Sequence, residues 1–176
     1  MAPERLIFLD ESGAMVGMTR RRGRSLGGRR VHEATTESHW RILTILGAMS
    51  LKGMIATMTI EAATDTDIFL AYLDEVLCPV LEPGHVVVMD NLSSHKVQGV
   101  RERIQATGAE LLYLPPYSPD LNPIEKAWSK LKEMLRAAKA KTSHELYQAI
   151  RNALPNITPE NATAWFRTCQ KWVQLA

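Results

Sequence analysis

The chain has 176 residues, 45% of them hydrophobic and 23% charged, with a formal net charge of +2. This excludes global disorder and fits one domain whose core needs no disulfide or metal staple. No apolar run nears the roughly 20 residues that span a bilayer, no basic-then-apolar leader opens the chain, and Cys78 and Cys169 form neither a disulfide framework nor a zinc-ligand pair, so a reducing cytosol is the expected setting.

In chain order, Arg5 to Leu9 is a short apolar run closed by Asp10, the pattern of a buried central strand. Residues 11–39 are polar, Gly-rich and Arg-rich without helical period, and are expected to form a long excursion, a hairpin or loop. Trp40 to Ser50 and Met54 to Ile60 read as strands of an antiparallel hairpin around Leu51-Lys52-Gly53. Ile68, Phe69, Tyr72, Leu73, Val76 and Leu77 then mark one face of a helix, with Thr64, Asp65 and Thr66 as candidate caps and Pro79 and Pro83-Gly84 as its end.

His85 to Met89 is a second buried-strand run, again closed by an aspartate, Asp90. A helix over Val97 to Ala106, a strand over Glu110 to Leu114 and a stiff proline loop over 115–119 follow. Asn122 is expected to cap the next helix, with Pro123 at its first position and Glu125 completing a capping box. Its apolar face is Ile124, Ala127, Trp128, Leu131, Leu135 and Ala138. Thr142 with Glu145 opens a helix to about Leu154, and Thr158-Pro159 opens the last, carrying Trp165, Phe166 and Trp172. The order predicts a mixed sheet with helices on its faces and right-handed strand–helix–strand crossovers.

Charge is segregated along the chain. Residues 61–90 hold Glu61, Asp65, Asp67, Asp74, Glu75, Glu82 and Asp90 with no Lys or Arg. Residues 20–30 hold Arg20, Arg21, Arg22, Arg24, Arg29 and Arg30, and residues 126–141 are also predominantly basic. Such segregation fits a polyanionic partner, nucleic acid above all, as well as it fits two solvated patches.

Two strands that each deliver an aspartate suggest chemistry. If they are neighbours, Asp10 and Asp90 meet, and two like charges a few ångströms apart call for a cation between them. Oxygen donors without His or Cys favour Mg²⁺ or Mn²⁺. Glu125 is the natural third carboxylate, and three carboxylates around two hard cations are suited to phosphoryl transfer. Read from the residues alone, the aspartates serve equally as strand-end turn formers and Glu125 as a helix cap.

The segments LIFLDESG (6–13), VVVMDNLSSHK (86–96) and LPPYSPDLNPIEKAWSKLK (114–132) resemble the catalytic domain of the mariner superfamily of transposases, most closely its bacterial insertion-sequence branch. The third segment is the most specific, and the resemblance runs over about residues 4–170. Between Asp90 and Glu125 lie 34 residues (91–124), the family's spacing between its second Asp and its Glu. The resemblance implies a ribonuclease-H-like fold, α/β with a mixed five-stranded sheet flanked by helices and extra C-terminal helices. It implies Asp10, Asp90 and Glu125 as ligands of two Mg²⁺, with Mn²⁺ as substitute. The implied reaction is hydrolysis of DNA at transposon ends, then attack of the freed 3′-hydroxyl on target DNA, normally at a TA dinucleotide.

Other residues are candidates for binding. Lys132 and Arg136 lie seven and eleven positions beyond Glu125, on much the same helix face, and can meet phosphates beside the scissile bond. The arginine cluster can add sequence-independent affinity or serve only as a solvated loop. His95 orders a phosphate or water, or hydrogen-bonds at the next helix start; Asn91 orders the loop beside Asp90 or touches substrate. The tryptophans lie at core spacing rather than as base-stacking platforms.

The whole chain, 1–176, is thus expected to be one catalytic domain with an Arg-rich insertion at about 11–39 and a helical tail at about 142–174. No helix-turn-helix module precedes Asp10, so a truncated product, half of a split transposase or an excised domain is expected, with a separate chain as the source of DNA-reading modules. By resemblance, assembly is a homodimer pairing DNA ends in the bacterial cytosol, at the nucleoid and off the membrane. A catalytically incompetent remnant, a DNA-binding module or a simple nuclease on the same fold are the competing readings.

Overall fold

The structure, a computed structural model, describes residues 2–20, 23–32, 41–90, 99–116 and 118–173, with backbone alone for 170–173. Arg21, Arg22, Trp40, Asn91, His95 and the Trp172 side chain, all singled out above, lie outside that description. Five strands, β1 (Leu6–Met15), β2 (Ile42–Ser50), β3 (Gly53–Ile60), β4 (Val86–Met89) and β5 (Glu110–Tyr113), form one sheet in the order β3-β2-β1-β4-β5. β1, β2 and β3 pair antiparallel, while β4 joins β1 and β5 in parallel. This is the mixed, helix-flanked sheet of the ribonuclease-H-like fold.

β4 is Val-Val-Val-Met, buried at every position, because it lies centrally with a layer on each side. The β2–β3 turn needs Gly53. Its φ is +95°, and a Cβ there would come within 2.6 Å of the Ile157 carbonyl oxygen.

Strand alternation sorts the core into two layers. Ile7, Leu9, Val87 and Met89 face α1 (Thr66–Tyr72) and α2 (Val100–Ala106). Asp65 caps α1, its carboxylate accepting from the Ile68 N–H at 2.8 Å. The helix then continues through a π-helical turn, Leu73–Leu77, and a 3₁₀ turn, Cys78–Val80, so Pro79 lies within the structured segment rather than beyond it. Arg103 of α2 donates to Asp74 at 2.8 Å and ties the two helical segments together.

Phe8, Ala14, Val86 and Val88 face the other way, toward α3 (Ile124–Ala138), α4 (Ser143–Ala153) and α5 (Pro159–Val173). Phe166 of α5 meets Phe8 edge-on, with centroids 5.2 Å apart. Thr142 caps α4, accepting from the Glu145 N–H at 3.1 Å, while Glu145 returns to the Lys141 N–H at 2.7 Å. The last two helices are thus part of the core that backs this face.

Three further expectations are corrected. β1 does not stop at Asp10 but runs to Met15, because Ser12 and Ala14 continue the buried alternation opposite Ile45 and Leu43 of β2. Asn122 does not cap α3: Pro123 stands at the cap position with no side-chain cap bond, and the Asn122 amide turns to Asp10 instead. Ala138 is exposed, because Lys139 ends α3 in the left-handed region (φ 52°) and Ala140 takes the buried place.

Candidate active site

The β1–β4 register runs Leu6–Val86, Ile7–Val87, Phe8–Val88, Leu9–Met89. The next residue on each strand is an aspartate. Parallel neighbours lie about 4.8 Å apart, so the register sets Asp10 beside Asp90 on the face that packs α3. β5 follows in step, and the Leu114 N–H donates to the Met89 carbonyl at 2.9 Å. From there a proline-rich loop and a 3₁₀ turn, Pro119–Leu121, deliver the start of α3. Glu125, in the first turn of α3, is exposed.

Asp10 is 7% exposed and Asp90 half-buried. Both oxygens of Asp10 are engaged. Oδ1 accepts from the Glu11 N–H at 2.8 Å, and Oδ2 accepts from the Trp128 indole N–H at 3.2 Å and the Asn122 amide at 3.5 Å. None of these donors carries a charge. Burial pushes the Asp10 carboxyl up to about 7, the charges of Glu125 and then Asp90 push the same way, and the Glu11 amide and the indole oppose them. Asp10 therefore lies within electrostatic reach of the other two carboxylates. The three do not close to the spacing of a finished shell: among the described residues no group of three His, Cys, Asp or Glu side chains could hold a metal as it stands.

The donor chemistry nonetheless suits a hard divalent cation. It is all oxygen, and it gathers negative charge at a buried position where Asp10 is hydrogen-bonded only by neutral groups among the described residues. The carbonyl oxygen of Asn122, a residue 5% exposed, has no hydrogen-bond partner among the described residues.

Sequence reasoning misses the part that three residues play here. Periodicity assigns Trp128 to the core and Asn122 to a cap. Gly47 pairs with Asp10 across β1–β2, and a Cβ there would lie 2.5 Å from Cη2 of Trp128 and 2.6 Å from Cε of Met54. An isolated glycine inside a strand is the signal that points to a close approach.

The basic candidates divide. Arg20 and Arg136 line one cleft of about 540 Å³ with Ser129, Lys130, Glu133 and Met134. Lys132, on α3, is half-buried and does not line it. Lys130 is already engaged, donating to the Asn156 carbonyl at 2.6 Å and Asn161 Oδ1 at 2.5 Å. Arg24, Arg29 and Arg30 are exposed.

The sheet is ribonuclease-H-like, and its two adjacent parallel strands set Asp10 and Asp90 side by side. Comparisons with known proteins identify the family. Residues 5–147 match the DDE superfamily endonuclease family, and the chain belongs to that family. The Tc1 transposable-element transposase of Caenorhabditis elegans is 36% identical over 70 residues, which are 40% of this chain and 26% of that protein. A Mos1 transposase paired-end complex with the left transposon end superposes with a TM-score of 0.80 at 16% identity, over 97% of this chain and 54% of that one. Mos1 paired-end complexes solved with Mg and with Mn each give 0.71 at 15% identity, over 97% of this chain and 55% and 54% of theirs. The chain thus spans about a quarter of its curated relative and about half of these solved chains.

Proposed function

We propose that this chain is the catalytic part of a mariner/Tc1-type transposase, of the bacterial insertion-sequence branch, that cuts DNA at transposon ends and transfers the freed 3′-hydroxyl to target DNA. The observation that carries this reading is the β1–β4 register, which sets Asp10 beside Asp90 under the α3 turn that bears Glu125. Asp10, Asp90 and Glu125 would hold two Mg²⁺ or Mn²⁺, the ions with which the Mos1 complexes were solved. Such ions, when bound, supply charge neutralisation at the scissile phosphate and a lowered pKa for the attacking water or hydroxyl.

The chain's own residues have separable tasks. Asp10 is the rigid carboxylate, fixed from both sides by the Glu11 amide and the indole. Glu125 is the exposed one, in the first turn of α3. The charges of Glu125 and Asp90 make ionised Asp10 costly, and a bound cation would offset that cost. Arg20 and Arg136 place positive charge in one cleft along α3, where backbone phosphates of the bound strand would lie. Arg21, Arg22, Arg24, Arg29, Arg30 and Lys132 would add further phosphate contacts, and Asn91 and His95 would order the loop after Asp90. Homodimeric pairing of ends, a partner chain carrying helix-turn-helix modules and a cytosolic, nucleoid-associated location belong to the same reading.

The test is Mn²⁺- or Mg²⁺-dependent nicking and strand transfer on short duplexes, with Asp90→Asn and Glu125→Gln alongside. Loss of several kcal/mol of transition-state stabilisation lowers the rate about a thousandfold or more in either variant. Retained cleavage in either pure variant overturns the site. Metal binding without cleavage points to a competent site that requires DNA-reading modules, and neither binding nor cleavage points to a remnant.

A further inference from the structure

Asp10 is surrounded by a more deliberate arrangement than a buried carboxylate needs. Its Oδ2 is met by two side chains from the α3 end, and one of them, Trp128, is a donor that accepts nothing in return. The indole is 2% exposed and lies over Gly47, the β2 residue directly opposite Asp10. A buried indole needs an acceptor, but a backbone carbonyl or an amide would satisfy it without placing a carboxylate in the core. The direction of service therefore runs from Trp128 to Asp10. Asn122 adds its amide on one side, while its buried carbonyl oxygen has no partner among the described residues.

We propose that Trp128 and Asn122 are positioning residues for Asp10, seated by the notch at Gly47, and that they set how strongly Asp10 holds a divalent cation. The inference rests on the metal-dependent reading above. The Trp128 N–H holds the carboxylate in place, and the spare carbonyl oxygen of Asn122 would be available as an acceptor beside a bound, hydrated cation. Outer hydrogen bonds of this kind typically carry about 10–100-fold in metal affinity or activity. Neither residue touches the reacting atoms.

The experiment measures Mn²⁺ binding by calorimetry for the wild type and for Trp128→Phe, which retains an aromatic ring and removes the N–H. In parallel, the indole ¹H–¹⁵N signal of Trp128 is followed in the wild type during Mg²⁺ and Mn²⁺ titration. The expected results are binding weakened about 10–100-fold in the folded variant, an indole signal that shifts with Mg²⁺, and its broadening by paramagnetic Mn²⁺. Gly47→Ala, which crowds the indole without removing its N–H, is expected to weaken binding in the same direction. Mn²⁺ bound equally well by Trp128→Phe overturns the positioning role and leaves the metal-dependent reading standing. A wild type that binds no Mn²⁺ overturns that reading and this one with it. If Trp128→Phe does not fold, the wild-type signal decides, and an indole unmoved at saturating Mg²⁺ and Mn²⁺ overturns the proposal.

Discussion

Each face of the sheet buries an ionisable side chain, and the two faces treat theirs differently. On the α1–α2 face, Tyr72 is fully buried; its hydroxyl donates to the Ala56 carbonyl at 3.3 Å, and burial raises its pKa far out of any working range. On the α3–α5 face, Asp10 has three neutral donors and two carboxylates in electrostatic reach, and its carboxyl is pushed up toward neutrality. The first face is built for cohesion. The second tolerates an unfavourable charge arrangement beside a helix start. The outer surfaces differ too: Asp65, Asp67, Asp74 and Glu75 are exposed around α1, whereas α3 presents Lys126 and Arg136 beside Arg20.

The largest effect that would break this contrast is on the cohesive face. Leu73→Ala removes a fully buried side chain there and is expected to cost about 2–5 kcal/mol in urea unfolding, with metal binding per folded molecule unchanged. Altered metal binding in the folded fraction would mean that the two faces are coupled.

The next concerns pH. A carboxyl whose folded value is raised from 3.8 to about 7 favours folding while protonated. Its contribution is fully present below the unfolded value and is lost as pH rises through 7. Without divalent metal, stability is therefore expected to fall by on the order of 2 kcal/mol between about pH 5 and pH 8. Asp10→Asn should flatten that dependence and stabilise the protein at the higher pH. A wild type equally stable at both would show that Asp10 is not the strained group described here.

A smaller effect separates the outer surfaces. Arg20→Ala or Arg136→Ala is expected to weaken duplex binding and lower the salt slope by about 1 per lost phosphate contact. Asp74→Asn should leave the slope alone. The smallest effect is Lys139→Gly, which relieves a left-handed lysine at the end of α3. It is expected to stabilise by about 0.5–1 kcal/mol by thermal unfolding.

Much of the site is legible in the amino-acid sequence. Two apolar runs that each end in aspartate are a strong pattern, because a central strand tolerates such runs, and the register then brings Asp10 and Asp90 together. Glu125 in the first turn of a helix follows from Pro123 and the apolar spacing beyond it. The illegible part consists of contacts distant in sequence. Asn122 has the right chemistry for a cap, and nothing local reveals that a carboxylate 112 positions earlier claims its amide. Residues 11–15 read as the start of a polar, glycine-rich excursion, and only the partner strand β2 shows that Ser12 and Ala14 face inward. Periodicity places Trp128 in the core, as the fold does, but it cannot name the partner of the indole N–H.

That partner lies 118 residues upstream. In time rather than space, this means that Asp10 leaves the ribosome long before the side chains that hold it. β1, β2 and β3 can pair early, yet the carboxylate in β1 gains its indole and amide donors only when the start of α3 has been made and has docked. A nascent or clipped chain ending before Asn122 carries two of the three carboxylates without the helix that frames them. On the proposed reading, a complete carboxylate set would therefore form late, with the docking of the α3 face.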